Sequence, residues 1–226
     1  MPPRISYIIP TLNEEAALER TLQSVISQEG EKEVVIADGG SADETLAIAQ
    51  RFDCSVTRTE PGRGRQMNAA AERADGGILF FLHADTSLPP NAQVEISRLL
   101  DTPGVIGGAF GLTFDPCTPA LRFYARCARL NSAWFTYGDQ GLFLHKATFE
   151  AIGKFRPYPL LEDVEIQSRL RKEGRFVKSK LCVTTSSRRF LKRGPIKQQL
   201  TNLYIVLAYK CGVSPLKLAR AYSQIR

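Results

Sequence analysis

The sequence predicts an α/β protein built on a mainly parallel sheet with helices on both faces. Short apolar runs at residues 4–9, 33–37 and 78–82 are the first sign, each continuous enough to be buried on both sides and too short for a helix. Segments with helical apolar spacing separate them, so the first 82 residues read β-α-β-α-β-α-β. Finally, 226 residues of ordinary composition, 43% hydrophobic and 23% charged, suffice for one sizeable α/β domain.

Residues 4–9 form the first strand, which Pro10-Thr-Leu-Asn13 breaks. Residues 14–28 carry Ala17, Leu18, Leu22, Val25 and Ile26 at helical spacing, with Glu14 and Glu15 in the first turn, where a helix favours negative charge. Residues 33–37 are a second strand and Asp38-Gly-Gly-Ser41 a tight turn. Ser41 with Glu44 three residues on reads as a capping box for a helix running to about residue 52. A weak strand lies near 55–58, a flexible basic loop at 61–65, and an alanine-rich helix at 66–74. The fourth strand, 78–82, stops at His83-Ala-Asp85. Ligands of open α/β sheets bind beyond the carboxyl ends of strands, and residues i and i+2 of an extended segment point the same way. His83 and Asp85 can therefore face one ion; the alternative is an ordinary turn with Asp85 bonded to nearby backbone.

Beyond Pro90, residues 92–100 are a helix and 105–114 one or two strands separated by glycines. Residues 120–130 form an amphipathic helix bearing Arg122, Arg126 and Arg129. Residues 137–144 are a turn entering a strand, with a helix from Lys146. After an irregular, proline-punctuated stretch at 155–161, Leu161-Glu-Asp-Val-Glu165 opens a helix to Lys172, and 177–184 is a last strand. The expected organisation is one domain over residues 1–190, with a basic helical segment, 191–226, packed on it. In that segment Ile196, Leu200, Leu203 and Leu207 share one helical stripe, which reads as a face packed on the domain, while its basic surroundings keep an interfacial role open.

The net charge of +7 is unevenly spread. Residues 1–170 hold 16 Lys/Arg against 22 Asp/Glu, and residues 171–226 hold 14 Lys/Arg against Glu173 alone. Such a tail implies an anionic partner: phosphate groups, an anionic membrane surface contacted peripherally, or nucleic acid. Aromatic interleaving, a helix-turn-helix and an RRM signature are all missing, so nucleic acid is not expected. No apolar run approaches the roughly 20 residues of a membrane span. Nor does the opening read as a signal peptide, and five cysteines without a CxxC suggest reduced thiols, so a cytoplasmic setting is expected. The first strand is followed by neither G-x-G-x-x-G nor a Walker A loop, which disfavours a dinucleotide or P-loop site.

Four stretches carry a resemblance. Ile9-Pro-Thr-Leu-Asn-Glu-Glu15, Ile36-Ala-Asp-Gly-Gly-Ser-Ala-Asp-Glu-Thr45, His83-Ala-Asp85 and Glu162-Asp163 resemble, in order and spacing, the family 2 glycosyltransferases of GT-A fold over about the first 170 residues. Leu82-His-Ala-Asp-Thr86, Gly138-Asp-Gln-Gly141, Glu162-Asp-Val-Glu165 and Ser187-Arg-Arg189 are similar more narrowly to a small bacterial subgroup of arsenosugar-biosynthesis or radical-SAM/selenodomain-associated transferases. The resemblance implies inverting transfer of a sugar from a nucleoside-diphosphate sugar, a UDP-sugar being favoured, to an acceptor hydroxyl. It implies that Pro10, Thr11, Asn13, Glu14 and Asp38 hold the donor's base and ribose. By the same token Asp85, last residue of the family's D-x-D position, holds Mg²⁺ or Mn²⁺ against the donor diphosphate. His83 stands where the family has its first Asp, which tilts the ion towards Mn²⁺ or leaves the imidazole to hydrogen-bond ribose or phosphate. Asp163 falls where the family's catalytic base lies, with Glu162 beside it; Asp139 and Gln140 are placed for the acceptor or donor sugar. Arg65, Arg188 and Arg189 are candidates for the diphosphate, because planar guanidinium suits phosphate oxygens.

For Asp38 taken alone, a turn-stabilising role before Gly-Gly is the plainer reading; for Glu162 and Asp163 it is stabilisation of a helix N-terminus. A nucleotidyltransferase shares this style of sheet and metal site. It normally needs a glycine-rich, lysine-bearing loop after the first strand, and Pro10-Thr-Leu-Asn13 is not one.

Overall fold

A computed structural model describes residues 3–225. Its parallel half comprises β1 (Ile5–Thr11), β2 (Lys32–Asp38), β3 (Ser55–Arg58) and β4 (Ile78–Phe81), connected through α1 (Leu18–Ile26), α2 (Thr45–Arg51) and α3 (Arg63–Arg73). There follow β5 (Thr86–Ser87), α4 (Ala92–Leu100), β6 (Val105–Asp115), α5 (Pro119–Cys127), a 3-10 turn (Gly138–Gln140) and β7 (Leu142–His145). Then come α6 (Lys146–Ala151), α7 (Glu162–Glu173), β8 (Arg175–Ser186), α8 (Arg188–Arg193), α9 (Pro195–Lys210) and α10 (Pro215–Ile225). Among the described residues the sheet runs β3-β2-β1-β4-β7-β6-β8-β5. Pairs β3–β2, β2–β1, β1–β4 and β6–β8 are parallel, whereas β4–β7, β7–β6 and β8–β5 are antiparallel.

Alternation along the strands splits the core into two layers. Ile78, Phe80 and Leu82 turn to one face with Ile5, Tyr7, Ile9 and Ile36, where α1, α2, α4 and α5 cover them. Leu79 and Phe81 turn to the other with Ile8 and Val35, beneath α3, α6 and α7. Phe80 is fully buried and its ring meets those of Tyr7 and Phe143 edge-to-face and that of Phe110 at a tilt, at 5.5–6.4 Å, which adds aromatic attraction to burial. Burying such a side chain contributes about 1.5–3 kcal/mol. Gly141, at φ +66, turns the chain into β7, and a Cβ there would lie 2.5 Å from the Phe80 ring. The second glycine of Gly138-Asp-Gln-Gly141 is thus required by both conformation and close approach.

Three expectations need correction. The basic stretch read as a flexible loop is partly helix, since α3 begins at Arg63. Ser41 and Glu44 form no capping box: the Ser41 hydroxyl bonds Asp38, and Asp43 Oδ1 instead accepts the Thr45 N–H at 3.0 Å at the start of α2. The stripe on α9 is not packed on the domain. Ile196 is 69% exposed and Leu200 61%, because α9 docks through Ile205 and Val206 on Leu161, Val164 and Leu218. Among the described residues, no helix is long and apolar enough to cross a membrane. All five cysteines are free.

Candidate active site

Parallel pairing sets the carboxyl ends of β1, β2 and β4 side by side, with Thr11 opposite Asp38 and Ile8 opposite Phe81. The loops leaving β1 and β2 are knitted into one wall. Asp38 is 1% exposed; its carboxylate accepts from the hydroxyls of Thr11 (3.2 Å) and Ser41 (2.6 Å) and from the N–H groups of Gly40 (3.0 Å) and Ser41 (3.1 Å). The Asn13 N–H donates to Ser41 Oγ at 3.0 Å, and Asn13 Oδ1 accepts from the Ala42 N–H at 2.9 Å. Asn13 sits at φ 55, a left-handed conformation that Asn tolerates. The Glu14 N–H donates to Thr45 Oγ1 at 2.8 Å. Thr11, Asn13, Glu14 and Asp38 are therefore brought together, with Pro10 half-buried behind them in β1. Asp38 is largely engaged in holding the wall.

His83 and Asp85 follow β4 and are both half-buried. The two-residue strand β5 pairs Thr86 with Thr185 of β8, which brings Thr185 Oγ1 to 3.5 Å from Asp85 Oδ1. The same pairing returns the chain to the site as α8: Arg188 reaches Glu14 at 3.0 Å, and Phe190 anchors the turn against Phe114 and Tyr124. Burial raises the Glu14 carboxyl, against the lowering effect of Arg188.

Antiparallel pairing of β7 with β4 builds the opposite wall, because Leu142 lies beside Phe81 and the Gly138–Gln140 turn falls next to His83. The Gly138 N–H donates to Asp163 Oδ2 at 2.5 Å, while Asp163 Oδ1 accepts the Val164 N–H at 2.8 Å on the first turn of α7. A Cβ on Gly138 would lie 3.1 Å from both Asp163 Oδ2 and His83 Nε2, so glycine lets the carboxylate and the imidazole close on one point. Glu162 is turned inward, 3% exposed, and pairs with Arg63 at 3.4 Å.

The electrostatics are those of a crowded acid cluster. Burial first, then Asp163 and Asp85, pushes Asp139 up to about 7, and its buried Oδ1 has no hydrogen-bond partner among the described residues. Lys178 is brought down to about 7 by burial, against the pull of Asp139. Burial, reinforced by Arg63 and Arg189, holds His83 well below its ordinary value, so the imidazole is neutral near pH 7. Burial also raises Glu162, with Asp163 adding and Arg63 opposing. Arg63 itself stays raised although burial opposes it, through Glu162, Asp163 and Asp85.

Two candidates stand elsewhere. Arg65 lies on the exposed side of α3, paired with Glu60. Gln140 is fully buried, its amide donating to the Phe135 carbonyl at 2.8 Å and accepting from Lys178, so it is not presented to the cleft. Two residues that the sequence did not single out, Arg63 and Thr185, are brought beside Asp163 and Asp85. Arg63 was findable, since once α3 is extended it shares a face with Met67 at i, i+4, whereas Arg65 does not. Thr185 depends on β5, which has no sequence signal.

Asp85 fits a divalent cation. It is a half-buried carboxylate at a strand end, close enough to Asp139 to add to the rise that burial causes there. Among the described residues no three His, Cys, Asp or Glu side chains converge to hold an ion unaided. An ion there needs oxygens from a bound anion to complete its shell, as hard cations that keep open positions for phosphate do.

Residues 6–155 match Glycosyl transferase family 2. A PGL/p-HBAD biosynthesis glycosyltransferase of Mycobacterium bovis BCG is 43% identical over 94 residues, 38% of this chain and 37% of that protein. The matched stretches span 36–46% of the curated relatives' lengths. A mannosyltransferase from Pyrobaculum calidifontis, solved with GDP-Man and Mn²⁺, superposes with TM-score 0.72 at 21% identity, covering 97% of this chain and 68% of that one. Glucosyl-3-phosphoglycerate synthase from Mycobacterium tuberculosis, solved with Mn²⁺, UDP and glucosyl-3-phosphoglycerate, superposes with TM-score 0.64 at 19% identity, covering 94% and 81%. Likeness at these identities establishes a shared GT-A fold.

Proposed function

The chain belongs to glycosyl transferase family 2, and on that footing we propose that it moves a sugar from a nucleoside-diphosphate sugar to an acceptor hydroxyl with inversion at the anomeric carbon. The observation that carries this reading is the closure of Asp163 and His83 on Gly138, beyond the strand end that bears Asp85. In a single displacement the acceptor oxygen bonds to the anomeric carbon as the bond from that carbon to the diphosphate oxygen breaks. The departing diphosphate takes the electron pair, and the acceptor proton passes to Asp163. Two N–H donors orient Asp163, yet a carboxylate has about four lone-pair sites, so it keeps capacity for a proton. A positioned base of this kind contributes about 10²–10⁴-fold.

The wall that Asp38 holds together, presenting Pro10, Thr11, Asn13 and Glu14, takes the base and ribose, and Asp139 a sugar hydroxyl, its buried Oδ1, unpartnered among the described residues, supporting that role. Neutral His83 hydrogen-bonds ribose or phosphate. Arg188 and Arg189, with Arg63 in the place first assigned to Arg65, balance the diphosphate charge. Mg²⁺ or Mn²⁺ at Asp85 supplies Lewis-acid neutralisation of the leaving group when bound; the Mn²⁺ complexes of the two GT-A enzymes support it. UDP-sugars are favoured over GDP-sugars, and the Leu82-His-Ala-Asp-Thr86 motif supports the small bacterial subgroup. Residues 1–190 carry the reaction and 191–226 back it, in the cytoplasm, which the free cysteines support.

A thermal-shift screen of UDP-, GDP- and dTDP-sugars, with and without Mn²⁺, tests the reading. One donor class should raise the melting temperature by mass action, more so with Mn²⁺. No shift with any of them at millimolar concentration would overturn it.

A further inference from the structure

Helix α9 is apolar on two opposite sides. Ile205 and Val206 pack inward on Leu161 and Val164, beside the Glu162 and Asp163 pair. On the outer side Ile196, Leu200, Leu203, Tyr204 and Leu207, spaced i, i+4, i+7, i+8 and i+11, are 42–69% exposed. Ile196, Leu200 and Tyr204, with Lys197 and Thr201, line a shallow apolar groove. A continuous apolar stripe left open on a helix whose other side is already packed marks a contact surface.

The surrounding charge identifies what covers it. No acidic residue follows Glu173 in the sequence. Lys197 lines the groove itself, Lys192 and Lys217 are exposed on α8 and α10, the helices that pack on α9, and Lys210 lies over the half-exposed Trp134 ring at 3.4 Å, an apolar body with a cationic tip. A second copy meeting this face through a two-fold axis would bring like charges together. An apolar stripe rimmed by lysines matches an interface whose headgroups are anionic and whose acyl region lies just below.

We propose that the outer face of α9 docks this protein on an anionic phospholipid bilayer, with the stripe in the headgroup–acyl boundary and the flanking lysines on lipid phosphates. The inner side of the same helix packs on Leu161 and Val164, so docking holds the Asp163 wall about one helix diameter, roughly 10 Å, from the lipid surface. The proposal stands apart from the transferase reading, because vesicle binding measures no catalysis.

The test is flotation of the full chain with phosphatidylcholine vesicles, alone or with phosphatidylglycerol as roughly a third of the lipid. The protein should float with the anionic vesicles and be released by high salt. Leu200→Asp and Leu203→Asp should each weaken binding at least about tenfold, the loss of one buried leucine. Lys197→Ala should weaken it about fivefold and, being exposed, guards against misfolding in the leucine variants. Unchanged melting temperatures confirm that each variant is folded. Equal flotation with neutral and anionic vesicles, no flotation with either, or wild-type binding by folded Leu200→Asp would overturn the proposal. So would light scattering showing a dimer that Leu200→Asp dissociates, since the face would then be a contact between copies.

Discussion

Replacing Gly138 with alanine should cost activity far more than stability. The added Cβ would lie 3.1 Å from Asp163 Oδ2, 3.1 Å from His83 Nε2 and 3.3 Å from Asp163 Cβ, each a few tenths of an ångström inside ordinary contact. The site responds by rotating the Asp163 carboxylate, which stretches its bond from the Gly138 N–H, or by pushing the imidazole aside. A single added methyl in a close-packed setting costs about 1–3 kcal/mol when it must be relieved, and the half-buried position of Gly138 favours the lower end. Catalysis is less tolerant, since a displacement of about 1 Å at a reacting group can cost about 10²-fold. A shift of a few tenths of an ångström should therefore lower kcat by about tenfold. Initial-rate kinetics with the cognate donor, read beside a melting curve, measures both. Gly138→Ala with full turnover would refute the closure of Asp163 and His83 on this glycine as the organising contact of the site.

The two arginines of α3 should separate. Arg65→Ala, which removes only an exposed pair with Glu60, should leave turnover unchanged and stability within about 0.5 kcal/mol. Arg63→Ala removes the cation facing Glu162, Asp163 and Asp85 and should lower kcat/KM by on the order of tenfold; equal kinetics for the pair would show that neither serves the site. Glu33 clamps the far end of the sheet: one carboxylate oxygen accepts from the Ser6 hydroxyl and from the N–H groups of Asp75 (2.6 Å) and Gly76 (2.9 Å). Glu33→Ala should cost about 1–3 kcal/mol in urea unfolding. Burial opposes ionisation of Glu33, but these donors and Arg4 prevail and lower its pKa. Its stabilisation is therefore complete above the unfolded value near 4.3 and is lost as pH falls through the lower folded value. The gap between the wild type and Glu33→Ala should narrow there; a pH-independent gap would contradict the assignment.

The parallel half of the fold was legible because each of its buried strands is an unbroken apolar run between turn residues. Residues 55–58 and 92–100 form the elements expected of them. Strand direction was not legible beyond β4, since a run such as β7 is equally apolar whichever way it pairs. That direction decides the site, because only the antiparallel β4–β7 pairing lays the Gly138–Gln140 turn beside His83. Within the cleft, residue type pointed to Asp85, Asp163 and the Asn13–Asp38 wall. Which arginine of 61–65 faces the acids depended on a helix start that two glycines disguise as a loop. Gln140 is turned from the cleft for a related reason: its neighbour Asp139 turns towards the acids while its own amide is held by Phe135 and Lys178. On α9, composition showed that an apolar face exists, but not which of two such faces finds Leu161 and Val164.

The most direct test of the transfer mechanism is Asp163→Asn, measured for donor binding and for turnover on the same preparation. The amide keeps the shape and its oxygen can still accept the Gly138 N–H, but its NH2 loses the bond from the Val164 N–H and it cannot take the acceptor proton. The expected result is an unchanged donor dissociation constant with kcat lower by about 10²–10⁴-fold. Wild-type turnover in Asp163→Asn would contradict the assignment of Asp163 as the base.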